Sequence, residues 1–325
     1  MITVNSLLLP LLFLALTGLS PEGGPEHTRA RANLYDAVHS VSSETAQYVR
    51  QAEEWVEGVR GQRQIDTYDR SGRLVEQVLY NPDGSHFQRK VRSYSQSGRP
   101  SQEIVYAPDG SLWHRMVWTY DERGAMTAAA RYEADGTILS KELFSYNGTL
   151  SKPVESISQD KDETFFGHVV YRYDAAGRMV ERSWVDDERK PVSRNVYAYD
   201  TRGNLITIEV YDRQDALMSR WVYRYDDKRN RTEWLDYHPD GSLAGRQVYR
   251  YEFDERGNWT KKVIADWVGD GQAGVLEPSE VIHRTLRYYP TAAPEHPPAD
   301  HVSQSQQKAS PGDGGGGSVS EAASE

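Results

Sequence analysis

From residue 62 to residue 290, apolar and polar positions alternate with a period of two, in runs of about nine residues broken by turn-forming clusters. That alternation predicts β-strands whose successive side chains point to opposite faces. The runs ending at Tyr94, Tyr120, Tyr146, Tyr173, Tyr199 and Tyr225 are the most regular. An aliphatic residue stands three positions before each of these tyrosines: Val91, Val117, Leu143, Val170, Val196 and Val222. Two positions before them stand Arg92, Trp118, Phe144, Tyr171, Tyr197 and Tyr223. The aliphatic row therefore belongs to one face, while the aromatic row and the landmark tyrosines share the other. Both faces also carry Arg, Glu and Gln. Glu76, Arg89, Glu181 and Arg194 read as mid-strand charges on different faces.

The runs repeat. Tyr68-Asp69, Tyr94-Ser95, Tyr120-Asp121, Tyr146-Asn147, Tyr173-Asp174, Tyr199-Asp200, Tyr225-Asp226 and Phe253-Asp254 follow one another at steps of 26, 26, 26, 27, 26, 26 and 28. Asp69-Arg-Ser-Gly72, Asp174-Ala-Ala-Gly177 and Asp254-Glu-Arg-Gly257 suit a type I turn, with Asp bonding its own backbone and Gly free to take positive φ. Twelve residues later a second kind of turn follows at Asn81-Pro-Asp-Gly84, Ala107-Pro-Asp-Gly110, Glu133-Ala-Asp-Gly136 and His238-Pro-Asp-Gly241. Three units lack it and carry Gln159-Asp-Lys, Asp187-Glu-Arg and Arg213-Gln-Asp instead. The expectation is an all-β fold of about seven tandem antiparallel hairpins over 62–290. Because large sheets twist and curl, the sheet is expected to be strongly curved, winding as a spiral or closing on itself.

The phrases Tyr-Arg-Tyr-Asp-Ala-Ala-Gly-Arg (171–178), Tyr-Ala-Tyr-Asp-Thr-Arg-Gly-Asn (197–204) and Tyr-Arg-Tyr-Asp (223–226) resemble the YD repeats of the rearrangement-hotspot (Rhs) family. The resemblance implies hairpins wound into hollow β-shells, in some members around a toxin and in others contacting sugars or neighbouring cells. This chain departs from the family by its short array, by lacking an Asp-Pro-Leu-Gly autoproteolysis signature, and by having no toxin-like segment after the array. The Pro-Asp-Gly turns are also similar to those of small MORN-like repeat proteins.

Outside the array, Leu7 to Leu16 is an apolar run too short to span a bilayer, and it reads as the core of a signal peptide over 1–20. An exported, extracytoplasmic protein, periplasmic or secreted, is expected. Within 21–61, Ser42 or Ser43 could cap a helix from Glu44 to Arg60, with Val49, Ala52, Val56 and Val59 on one stripe and Gly61 beyond its end. From 291 to 325 the chain is rich in Pro, Gly and Ser and reads as a disordered tail. No integral membrane segment is expected once the signal is removed.

Charge and composition narrow the functional classes. A net charge of −10 argues against a nucleic-acid partner, which needs a clustered basic face. The absence of Cys excludes thiol catalysis and thiolate metal sites. Twenty-one Tyr and 8 Trp against 6 Phe favour half-wet pleated surfaces. No nucleophile elbow or His pair suggests an enzyme, and no cofactor is expected. The nine His are scattered, and His114 and His168 read as surface or satisfied strand positions. Trp113, Trp118, Trp184 and Trp221, with Trp234, lie on predicted strands and are candidates for gripping a protein or glycan partner. Asp266, Asp270 and Glu277 partly match a calcium loop, but Val268 occupies a ligand position. The expected function is a non-catalytic binding scaffold at the cell envelope or outside the cell. The alternatives are a shell component of an Rhs-like toxin system and an outer-membrane β-barrel.

Overall fold

A computed structural model describes residues 28–30, 32–147, 152–269 and 274–290. The described residues form eighteen strands and no helix. In chain order these are β1 (Val38–Gln51), β2 (Glu54–Tyr68), β3 (Leu74–Tyr80), β4 (His86–Tyr94), β5 (Pro100–Tyr106), β6 (Leu112–Tyr120), β7 (Met126–Glu133), β8 (Ile138–Ser145) and β9 (Glu155–Asp160). They continue with β10 (Phe165–Tyr173), β11 (Met179–Val185), β12 (Pro191–Tyr199), β13 (Leu205–Tyr211), β14 (Leu217–Tyr225), β15 (Arg231–Tyr237), β16 (Leu243–Phe253), β17 (Trp259–Val268) and β18 (Val275–Tyr288).

Each strand pairs antiparallel with the next in sequence, for example Arg92 with Glu103 and Tyr223 with Trp234. β1 then pairs with β18 from Val38↔Tyr288 to Gln47↔Glu280, so the sheet closes. The result is an up-and-down barrel rather than a spiral. Closure removes both sheet edges, which a spiral would leave with unpaired backbone groups.

The expected helix over 44–60 is a hairpin instead. β1 hydrogen-bonds to β18 on one side and β2 on the other, and Val49 lies opposite Val56 across its tip. A helix here would leave two strands unpaired, so closure overrides local propensity. The supposed apolar stripe is no stripe, since Val59 is 93% exposed.

The two kinds of turn share one hydrogen-bond pattern. Asp69 N–H donates to the Arg73 carbonyl and Gly72 N–H to the Asp69 carbonyl. Asn81 and Gly84 repeat this with Ser85 and Asn81. Gly72 and Gly84 take φ of 82° and 85°, the left-handed slot where a Cβ is penalised. Where Pro-Asp-Gly is missing, Asp160, Asp186 and Asp212 open the turn, and Glu163, Arg189 and Asp215 occupy the slot at φ 59°, 63° and 62°. Among the described residues, the Tyr-Asp turns lie at one rim and those of the second kind at the other.

Landmark tyrosines tie adjacent strands together. The hydroxyls of Tyr94, Tyr120, Tyr146, Tyr199 and Tyr225 donate to the carbonyls of Leu74, Pro100, Met126, Met179 and Leu205, each twenty residues earlier. Tyr251 does the same to Arg231, which makes it, and not Phe253, the eighth member of the row. Phe253 packs against Lys228, 4.2 Å from its ring.

The apolar core sits beside the closing strands at the Tyr-Asp rim: Leu34, Val38, Val41, Tyr68 and Leu74. A strap of residues 28–30 and 32–37 crosses this rim. Arg29 N–H donates to Gly72 O at 2.8 Å, Asn33 Nδ2 to Asn230 Oδ1 at 2.9 Å, and Tyr35 N–H to Asn258 Oδ1 at 2.7 Å. The expected signal peptide over 1–20 and tail over 291–325 lie outside the described residues.

Candidate functional site

The barrel wall is one strand thick, and its two faces differ in depth. One face carries Arg92, Trp118, Ala129, Glu142, Val169, Tyr171 and Tyr223, all buried. Charges there act over several strands: Glu142 on β8 feels Arg182 on β11, and Tyr68 on β2 feels Arg92 on β4 and Arg284 on β18. A concave wall brings side chains together in this way, so this face lines the interior. On the other face the strand ion pairs stay between neighbours, as in Arg89–Glu76 at 2.7 Å and Arg224–Glu233 at 2.6 Å.

The inner lining mixes aromatics with charge. Arg92 pairs with Glu103 at 2.5 Å, and Arg284 stacks over Trp259 at 3.5 Å. Burial holds the Tyr68, Tyr94, Tyr120, Tyr171 and Tyr251 hydroxyls up at about 12. Burial raises the Glu142 carboxyl against the opposing effects of Ser156 and Arg182. Burial also lowers Lys262 and takes Arg284 down to about 10.

The outer face carries a belt. Arg63, Arg89, Arg115, Lys141, His168, Arg194, Arg220 and Arg246 stand at one height, five residues before successive landmark tyrosines. Glu76, Glu181, Arg89 and Arg194, expected on different faces, all share this outer face. Several belt cations are neutralised: Arg89 by Glu76, Arg194 by Asp215 at 2.7 Å, Arg220 by Glu209 at 2.9 Å and Arg246 by Glu233 at 2.6 Å. His168 hydrogen-bonds to Glu155. Arg63, Arg89, Arg115 and Arg194 lie over the rings of Tyr80, Tyr106, Tyr132 and Tyr211 at 4.0–5.3 Å. Near the second rim, Phe87, Trp113 and Met218, the unpaired bulge residues of β4, β6 and β14, are exposed at 42%, 54% and 53%. The Arg172 and Arg224 row, also outward, pairs with Glu181 and Glu233.

The candidate tryptophans do not form one site. Trp118, Trp184, Trp221 and Trp234 line the interior on β6, β11, β14 and β15, whereas Trp113 is the unpaired bulge residue of β6, its ring 5.4 Å from that of His114. Trp118 is 8% exposed and its indole N–H has no hydrogen-bond partner among the described residues. His114 also faces inward; burial and Arg131 lower its pKa. Asp266 and Glu277 face each other across the β17–β18 hairpin, and Gln247 donates to Asp266 at 2.8 Å. Asp270 lies outside the described residues, among which no group of three His, Asp or Glu is placed to hold a metal. The sequence reading missed the belt, although one basic residue recurring at the same offset in every unit was its signal.

No model of a known protein family matches the chain, and no curated protein sequence matches it. Among solved structures it is similar to a porin-like protein from Bacteroides uniformis at 11% identity and TM-score 0.40, over 77% of this chain and 96% of that one. A porin-like protein from Bacteroides vulgatus is similar at 13% identity and TM-score 0.28, over 79% and 100% of the two chains. TcdB2-TccC3-Cdc42 is similar at 12% identity and TM-score 0.28, over 78% of this chain but 16% of that one. Likenesses this distant carry no inference about function, and the YD-repeat resemblance rests on the turn motifs themselves.

Proposed function

We propose that this chain is an exported, non-catalytic binding barrel that works in water at the cell envelope or outside the cell, presenting its walls to a glycan or protein partner. The observation that carries this reading is the outer belt. Arg63, Arg89, Arg115, Lys141, Arg194, Arg220 and Arg246 occupy the middle of the convex face. A bilayer-spanning barrel needs an uninterrupted apolar band there, and each midplane Arg or Lys costs about 2–4 kcal/mol. Partner carboxylates soften that cost at several positions, but Arg115 and Lys141 face none on their neighbouring strands. The inner face, charged as well, offers no alternative lipid surface. Trp184, Trp221 and Trp234 inside the barrel and exposed Trp113 near the second rim supply stacking surfaces. The apolar run from Leu7 to Leu16 supports export.

The second reading is a membrane-spanning barrel, favoured by the closure of an even number of antiparallel strands and by the aliphatic row through Val91, Val117, Val170 and Val196. Expressing the full chain in a Gram-negative host and fractionating it separates the two. Recovery as a monodisperse protein in detergent-free buffer supports the binding barrel. Recovery only from detergent-extracted outer membranes, with step conductance in planar bilayers, overturns it.

A further inference from the structure

Between β4 and β7 the inner wall holds more positive charge than it pairs. Arg92 on β4, Glu103 on β5, Met116 on β6 and Arg131 on β7 follow one another in a single register row. In the next row toward the second rim, Lys90 and His114 stand on either side of Val105. Lys90, Arg92 and Arg131 thus carry three positive charges against the one buried carboxylate, Glu103. His114 adds none near pH 7, since burial and Arg131 lower its pKa. Glu133, opposite His114, lies exposed at the rim turn, and Glu142 on β8 turns away toward Ser156 and Arg182. Two positive charges are left over on this patch of a chain whose net charge is −10.

Other inner cations are better provided for. Arg182 lies 4.6 Å from the Trp184 ring and Arg284 3.5 Å from that of Trp259, with Glu142 and Asp66 near them. Arg131 lies over no aromatic ring and pairs with no carboxylate among the described residues, and its buried Nε has no hydrogen-bond partner there. Arg92, its side chain 6% exposed, meets Glu103 at 2.5 Å and leaves its buried Nη1 without a partner. The Trp118 indole N–H and His114 Nδ1 are in the same condition. Lys90, between Gln77 and Val105, makes no ion pair among the described residues. Arg92 reaches across to β5, and Arg131 comes close enough to His114 on β6 to act on it, so the two guanidinium groups converge from opposite sides. Buried cations without counter-charges are costly, and donors gathered in this way suit an anion.

We propose that the inner face of β4–β7 binds a small phosphate monoester of a sugar or polyol, with Lys90, Arg92 and Arg131 on the phosphate and Trp118 and His114 on hydroxyl groups. A phosphate monoester brings a charge of about −1.5 to −2 and three acceptor oxygens, which meets the surplus on this patch; a single carboxylate brings half of that charge and two oxygens. Guanidinium forks match phosphate geometry. A neutral imidazole and an indole N–H suit hydroxyls, which both donate and accept. The site lies nearer the second rim, away from the strap. It goes beyond the reading of the chain as a binding barrel and does not depend on the medium around the barrel.

The full chain is titrated calorimetrically with glucose 6-phosphate, and with glucose, inorganic phosphate and succinate in parallel. Binding of glucose 6-phosphate that weakens with salt is expected, with none of glucose. Arg131→Gln and Lys90→Gln should each weaken it about tenfold, as for one lost charge-assisted contact. Trp118→Phe, which removes the N–H and keeps a ring, should weaken it several-fold. Arg220→Gln, on the outer face and paired with Glu209, should leave it within about twofold. The ligand-free thermal midpoint of Arg131→Gln should hold or rise, because an unpaired buried charge is removed. A fall would mark Arg131 as structural, and unchanged binding by Lys90→Gln would then overturn the site. Absence of glucose 6-phosphate binding overturns it outright, as do equal losses from Arg131→Gln and Arg220→Gln. Succinate or inorganic phosphate bound as tightly as the ester overturns the assignment of a phosphate monoester.

Discussion

The repeat wall from β3 to β16 and the seam where β1, β2, β17 and β18 close the ring are held by different forces. The wall has little core: no residue of β13 is fully buried, although its neighbours pair along its whole length. It stands on ladder hydrogen bonds, aspartate-closed turns and tyrosine hydroxyls, each repeated locally. The seam joins residues as far apart as Val38 and Tyr288, and there Val38, Val281 and Asn258 are wholly buried. Hairpins contribute stability to themselves, whereas bringing distant ends together costs loop entropy that apolar burial and the strap through Arg29, Asn33 and Tyr35 must offset.

Alkali should erase this difference and have the largest effect, because tyrosines serve both regions. Tyr94, Tyr120 and Tyr171 in the wall and Tyr68, Tyr251 and Tyr288 near the seam are held at about 12 against an ordinary 10, with burial the largest cause in each. Folding raises these values, so the folded chain keeps protons that the unfolded chain releases. The contribution is full below pH about 10 and is lost as pH rises through about 12. Tyrosinate absorbance and far-ultraviolet circular dichroism should therefore change together in that window. Tyrosines that ionise near pH 10 while the dichroism stays constant would remove the hydroxyl ties from the account of the wall.

A single charge placed in each region should separate them again. Val38→Asp buries a carboxylate among Leu34, Val41, Tyr68 and Leu74 in the seam core and should cost about 3–5 kcal/mol. Val222→Asp, half-buried on the outer wall between Arg220 and Arg224, should cost less than about 1 kcal/mol. Denaturant midpoints of the two variants measure the gap. Equal losses would mean that the wall has a core after all.

The same division decides what the sequence disclosed. The wall was legible because each unit repeats its turn chemistry: an Asp that accepts N–H groups, then a residue at positive φ. The seam was not, because 38–68 has no repeat partner and its helix-like spacing could be corrected only by the unpaired edges that await it. Face assignment failed for a local reason. Every hairpin but β8–β9 carries a bulge, as between Leu79 and Tyr80, which changes the odd-even count across the turn. Glu76 and Arg89, thirteen residues apart, therefore share a face. Trp113 is itself a bulge residue, left unpaired between Leu112 and His114, so its odd separation from Trp118 fixes no face.

The smallest expected effect concerns turns within the wall. Glu163 holds the left-handed slot at φ 59°, a conformation that a side chain penalises by about 1 kcal/mol or more, and it is exposed at the second rim. Glu163→Gly relieves that strain but makes the unfolded chain more flexible, so the net gain should be about 0.5–1 kcal/mol. Gly110 is the converse case at the same rim, with φ 83° and nothing within 4 Å of an added Cβ. Gly110→Ala meets no steric obstacle, and any loss, again about 1 kcal/mol, comes from backbone conformation alone. Opposite shifts of similar size in thermal midpoint would show that one turn geometry serves both kinds of unit. A loss at Glu163→Gly would instead mean that its side chain contributes something the glycine turns lack, and the equivalence of the repeats around the ring would fail there.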